Sequence, residues 1–231
     1  MLLILSIALV FAQEIVYERV EFGQTETSRP LIVEQFGDGE KVFAILSSIH
    51  GTEDAGTPLS IALASHLQRQ VHLLEGKTIL LVHLTNPDGF VAELRGNRNN
   101  VDINRNFPTQ NFGRGIFNGQ EPLSASETKE LLQFLHFYRP ERILVMHQPL
   151  NCIDYDGNSE SLARHLSTVS GIRIKRLGSR SGSLGTYVGI QLQKEIITLE
   201  LPSYASEKSS EWLWDKYGDL LIAFLVFPSE K

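Results

Sequence analysis

Val42-Phe43-Ala44-Ile45-Leu46-Ser47-Ser48-Ile49-His50-Gly51-Thr52-Glu53 decides how this chain is read. A near-continuous apolar run is what a strand buried on both faces of a parallel sheet requires. The run gives way to a histidine and a carboxylate three residues apart, at the mouth of the strand, where both can grip one metal ion. Two further apolar runs end the same way. Arg142-Ile143-Leu144-Val145-Met146 stops at His147, and Ile196-Ile197-Thr198-Leu199 stops at Glu200. The ends of parallel strands are where residues remote in sequence converge in an open α/β sheet. His50, Glu53 and His147 therefore read as three metal ligands, and Glu200 as a carboxylate placed to move a proton. That is the composition of a catalytic zinc site, which takes three protein ligands and keeps a fourth position open.

The rest of the chain is consistent with one α/β domain. Its 231 residues suffice for a single sizeable core, and 42% hydrophobic with 21% charged residues fits an ordinary globular protein. The net charge of −6 comes with no basic block, so nucleic acid is not an expected partner. Cys152 is the only cysteine. Disulfides within the chain and thiolate clusters are thereby excluded, and any zinc site must use histidine and carboxylate. Cys152 itself reads as a small buried hydrophobe.

Met1 to Ala12 is almost wholly apolar and has the length of a signal-peptide core rather than of a membrane span. Val10-Phe11-Ala12 places small residues suitably for cleavage before Gln13, although no Lys or Arg precedes the run. Residues 1–12 are therefore read as a signal peptide of a periplasmic or secreted protein, with a first buried strand as the competing reading. If the leader is not cleaved, the expected location is the cytoplasm. No other segment is apolar enough to span a membrane, and the oligomeric state is not legible.

Strands are expected over Ile15–Phe22, Pro30–Phe36, Val42–Ser48 and Thr78–Leu84, with a turn at Gly37-Asp38-Gly39. Leu59, Leu63 and Leu67 give Pro58–Gln70 a helical period. Arg95–Gly119 has no apolar period, yet Phe107, Phe112 and Phe117 favour a packed, functional loop. Ser124 with Glu127 has the spacing of a helix-starting capping box, and the helix stops before Pro140. Helices are expected over Ser159–Ser170 and Trp212–Phe227. Asp156-Gly157 is a turn signal.

The segment Val101-Asp102-Ile103-Asn104-Arg105-Asn106-Phe107-Pro108 adds specificity. With it, the order runs His-x-x-Glu, Asn86-Pro87-Asp88-Gly89, Val-Asp-Ile-Asn-Arg-Asn-Phe, a strand-end His and a strand-end Glu. In this order the chain resembles the zinc carboxypeptidase (carboxypeptidase A-like) family over about residues 42–202. The resemblance implies a single domain, 13–231, with a central mixed, mostly parallel twisted sheet flanked by helices. It implies one Zn2+ ion on His50, Glu53 and His147, with Glu200 as general base and acid. It implies that Arg95 stabilises the oxyanion and that Asn104 and Arg105 grip a substrate carboxylate, work that Arg98 could share. Each role makes chemical sense, since a guanidinium fork suits both a carboxylate and developing negative charge.

Arg95-Gly96-Asn97, His147-Gln148-Pro149-Leu150, Gly182-Ser183-Leu184-Gly185 and Thr198-Leu199-Glu200-Leu201-Pro202 are most similar to the branch of the family that acts on murein peptides. This implies hydrolysis of an amide, at the γ-D-glutamyl–diaminopimelate bond. Asp154 is then expected to hold the substrate's ammonium, against a plain turn role for Asp154 and Asp156. Tyr187 and Tyr204 are candidates for a mobile tyrosine at the scissile bond. Two positions depart from the pattern. Gln148 stands where the residue after the second zinc histidine is usually small, and Asn100 stands where the family usually has Gly. Three alternatives accompany this reading: a carboxypeptidase removing a C-terminal residue from peptides or murein stems, a deacylase of N-acylated amino acids with the same zinc ligands, and a catalytically inactive peptide-binding module. His66, His72, His83, His136 and His165 lie inside helix or strand patterns and read as structural.

Overall fold

The computed structural model describes residues 15–228; the leader expected over 1–12 lies outside them. Seven strands form one sheet: β1 (Tyr17–Gln24), β2 (Pro30–Phe36), β3 (Lys41–Leu46), β4 (Lys77–Val82), β5 (Arg142–His147), β6 (Leu150–Asp156) and β7 (Glu195–Pro202). Their spatial order is β1-β2-β4-β3-β5-β7-β6. The four central strands β4, β3, β5 and β7 are mutually parallel, and the edges are antiparallel. The apolar runs fall on the central strands because only there are both faces covered, and every residue of β5 is buried.

Helices α1 (Gly56–Arg69), α4 (Glu160–Ser170) and α5 (Ser210–Val226) cover one face. The other face is covered by α3 (Ser126–Tyr138), the irregular segment around Ile103 and Phe107, and a π-helical turn at Thr186–Gln191. Two apolar layers thus sandwich the sheet, as expected for a three-layer α/β domain. In α1, Leu59, Leu63 and Leu67 form the buried stripe that their spacing implies. α3 ends where Arg139 turns left-handed (φ 49°) before Pro140. α5 begins with the Ser209 side chain accepting from Trp212 N–H at 3.2 Å.

Arg142, fully buried at the start of β5, ties α5 to the sheet. Its Nε donates to Glu195 Oε2 at 2.7 Å, and its Nη atoms donate to the carbonyls of Phe224, Phe227 and Pro228 at 2.8–3.2 Å. Those carbonyls lie at and just beyond the helix C-terminus, where backbone acceptors lack helical partners and a cation is favoured. The guanidinium also lies near the rings of Phe43, Phe224 and Phe227.

Four details differ from the sequence reading. The Gly37-Asp38-Gly39 turn joins β2 to β3, yet β4 lies between these strands. Asn86-Pro87-Asp88-Gly89 opens a short helix, α2 (Pro87–Ala92), with Asn86 as its cap, accepting from Gly89 N–H at 2.9 Å. The capping box is not formed. Ala125 is the N-cap of α3, Ser124 Oγ accepts from Asn106 Nδ2, and buried Glu127 accepts from Asn97 Nδ2 at 2.8 Å. β6 follows β5 directly, on a stretch where the sequence reading expects no strand. Its alternation of polar and apolar residues is what an antiparallel edge strand shows.

Candidate metal centre

The C-terminal ends of β3, β5 and β7 deliver the site. His50 and Glu53 lie in the loop after β3, and His147 and Glu200 are register partners on β5 and β7. The loop after β3 packs backbone against backbone. A Cβ on Gly51 would meet the Gly89 carbonyl carbon at 2.1 Å, so the position admits only glycine.

One ligand atom from each of His50, Glu53 and His147 lies within 4.8 Å of the others, and all three residues are buried. His147 Nδ1 is 2.7 Å from Glu53 Oε2, and His50 Nδ1 is 2.9 Å from Glu53 Oε1. Despite that distance His50 Nδ1 makes no directed hydrogen bond, a buried polar atom left over by the protein's own network. Nitrogen–oxygen–nitrogen donors converging on one point fit a zinc ion, and His50 Nδ1 lacks any other partner for its lone pair.

The groups behind the ligands fix their orientation. Asp102 Oδ1 is 3.0 Å from His50 Nε2 and accepts Asn104 N–H at 2.9 Å. Asn104 Oδ1 accepts Leu184 N–H at 2.8 Å, which turns Nδ2 toward His147 Nε2 at 3.2 Å. Gln148 is a clamp. Its backbone N–H donates to Glu53 Oε2, and its side chain accepts from Ala55 N–H and donates to the Pro202 and Ser203 carbonyls. It therefore joins the ligand loop to the end of the Glu200 strand, work that a small residue could not do. Asn100 takes the left-handed backbone (φ 59°) that a glycine would supply, so that departure costs little.

Charge follows from these contacts. Burial pushes Glu53 upward, but the imidazoles of His147 and His50 beside it outweigh that and hold the carboxyl well below its usual range. Asp102 is likewise opposed by burial, yet the bond to His50 and the charges of His50, Arg105 and Arg95 bring it to about 2. Both remain anionic at neutral pH, as a cation site needs. Glu200 is different. Burial dominates, and its pKa is raised. Leu150 N–H lies 3.4 Å from its Oε2.

His50, Glu53, Arg95, Asn104, Arg105, His147, Asp154 and Glu200 all line one pocket of about 240 Å3. The eight residues singled out in the sequence are thus brought together. Arg95 is half-exposed and reaches Glu53 Oε1 at 2.6 Å and Asp102 Oδ2 at 3.2 Å. Asp154 is buried in β6 and accepts Leu177 N–H at 3.0 Å. Asp156 lines the same pocket and accepts from Ser179 Oγ, so neither aspartate is simply a turn residue. Arg98 does not line it.

The tyrosine expectation fails. Tyr187 is buried, stacked on Phe107 and 3.0 Å from His136 Nε2, while Tyr204 packs against Trp212; neither borders the pocket. Leu177 lines the pocket. Sequence reasoning assigned no work to Asp102, Gln148 or Arg180. Asp102 had a signal, an acid two residues before Asn104 in the motif. Gln148 and Arg180 had none beyond polarity.

This fold and this site define a metal-dependent hydrolase. The model of the zinc carboxypeptidase family matches residues 8–164, and the chain belongs to that family. It is a zinc-dependent metallopeptidase. Murein peptide amidase A of Escherichia coli K12 is 30% identical over 188 residues, covering 72% of this chain and 74% of that protein. The crystal structure of the murein-tripeptide amidase MpaA from Escherichia coli O157 aligns with TM-score 0.72 and 24% identity, over 92% of this chain and 93% of that one. Carboxypeptidase A from Helicoverpa armigera shares the fold at TM-score 0.77 and 18% identity, over 93% of this chain and 70% of that one.

Proposed function

We propose that this enzyme hydrolyses an amide in murein peptides, the γ-D-glutamyl–diaminopimelate bond, with one zinc ion on His50, Glu53 and His147. The observation that carries this reading is that one pocket joins the ligand triad and Glu200 to a buried carboxylate, Asp154. A peptidase pocket that needs only to accept a neutral side chain has no use for a desolvated carboxylate. The likeness to Murein peptide amidase A across most of both chains points the same way.

Zinc in this site supplies Lewis acidity toward the amide carbonyl and makes water a stronger acid. The chain does the rest. Glu200 takes a proton from the attacking water and delivers one to the leaving amine. Arg95 offers its guanidinium to the negative charge developing on the carbonyl oxygen. Asn104 and Arg105 hold a substrate carboxylate, and Asp154 holds the ammonium of the diaminopimelate side chain. The apolar run at Met1–Ala12 supports an exported enzyme that meets wall peptides outside the cytoplasm.

Mass spectrometry of a defined digest tests the reading. Zinc-loaded protein and L-alanyl-γ-D-glutamyl-diaminopimelate should yield the alanyl-glutamate dipeptide and free diaminopimelate. With a tetrapeptide, the bond proposed yields diaminopimelyl-alanine, whereas a carboxypeptidase trimming the stem would release alanine. Intact peptides would end the murein assignment.

A further inference from the structure

The pocket holds charged groups of both signs that make no direct ion pair with one another. Asp154, Arg105 and Arg180 all line it, and none of the three takes part in an ion pair among the described residues. Buried charged groups ordinarily have partners, because desolvation is costly. Asp154 is buried to 5% exposure, with no cation at ion-pair distance among the described residues. Arg176, in the same segment, stacks over the Tyr155 ring at 4.1 Å and makes no ion pair with Asp154.

Arg180 is also held in place. Its carbonyl accepts from Ser183 N–H at 3.1 Å and from Thr186 Oγ1 at 2.6 Å. On one side the loop is anchored to the two aspartates, Leu177 N–H on Asp154 and Ser179 Oγ on Asp156. On the other side the Gly182 carbonyl accepts Phe107 N–H at 2.9 Å. Gly182 has φ +65°, and a Cβ there would meet the Arg105 carbonyl oxygen at 2.0 Å. The loop is therefore pressed against the Asn104-Arg105 segment, and the arginine at its tip keeps an exposed side chain beside the pocket.

We propose that Arg180 and Asp154 together read a zwitterionic amino-acid centre at the end of the substrate's side chain, Arg180 taking its carboxylate and Asp154 its ammonium. Arg105 remains for the carboxylate next to the scissile amide. This rests on the murein reading above and deepens it, because diaminopimelate ends in such a centre and lysine ends in an ammonium alone. Arg180 is thus a specificity residue that selects diaminopimelate over lysine at the same stem position.

The test compares kcat/KM for two tripeptides, one ending in meso-diaminopimelate and one in L-lysine, in wild type, Arg180→Gln and Asp154→Asn. Arg180→Gln should lower kcat/KM on the diaminopimelate peptide by about 10- to 100-fold, the worth of a charge-assisted contact, and leave the lysine peptide unchanged. Asp154→Asn should lower both. Equal loss on both peptides in Arg180→Gln, or no loss on either, overturns the proposal. If wild type cleaves neither peptide, the murein reading fails, and calorimetry with free meso-diaminopimelate and lysine decides the pocket on its own. Tighter binding of diaminopimelate, abolished by Arg180→Gln, upholds it; equal binding overturns it.

Discussion

His147 and Glu200 stand side by side as register partners at the ends of β5 and β7. In the proposed mechanism one side chain is a metal ligand and the other the proton carrier, and the parallel ladder alone sets their separation. Glu200 has no bond to His50, Glu53 or His147. Glu200→Gln should therefore keep zinc, measured by elemental analysis, while kcat falls by about 100- to 10,000-fold. Turnover near wild type would remove Glu200 from the mechanism.

Burial also makes Glu200 a pH-sensitive group. The proposed mechanism needs the carboxylate form, and burial raises its pKa. The acid limb of the kcat/KM profile should thus lie above the ordinary glutamate value of about 4.3. The same shift has a stability consequence in metal-free protein. A raised folded pKa contributes stability below the unfolded value, and that contribution is lost as pH rises through the folded pKa. Glu200→Gln should accordingly raise the Tm of metal-free protein at pH 7, and the gain should shrink toward pH 4.

Asp102 grips His50 Nε2 and also Arg95 Nε. Asp102→Asn keeps the shape and removes the charge, so His50 becomes a weaker ligand and its ring is less firmly held. Zinc affinity in a chelator competition should fall about 10- to 100-fold. An unchanged affinity would show that the loop after β3 orients His50 without help.

Arg142 lies at the opposite end of β5 from the pocket. Arg142→Met removes the partner of Glu195 and leaves the end of α5 without its donor. Loss of these charge-assisted hydrogen bonds should cost about 1.5–3 kcal/mol, which urea denaturation would register. KM for any cleaved peptide should stay at its wild-type value under native conditions.

Some of this was legible in the chain itself. Central strands are buried on both faces, so β3, β4, β5 and β7 appear as apolar runs, and the polar stops of β3, β5 and β7 mark the site. His50, Glu53, His147 and Glu200 could be named because each ends such a run. β6 escaped notice because an edge strand alternates and its aspartates resemble turn chemistry. Tyr187 was misread because nothing local distinguishes a tyrosine bonded to His136 beneath a π-helical turn from one free to swing over a pocket.

Sequence by itself thus determined the parallel centre of the sheet and the candidates His50, Glu53, His147 and Glu200 at its strand ends, since periodicity and residue chemistry are local properties. Tertiary structure alone decided that Asp102 backs His50, that Gln148 clamps two strand ends together, and that Arg180 shares a pocket with Asp154. Those relationships join residues 26 to 93 positions apart through hydrogen bonds and shared walls. No local pattern encodes such distances; they exist only once the sheet has set its strand order.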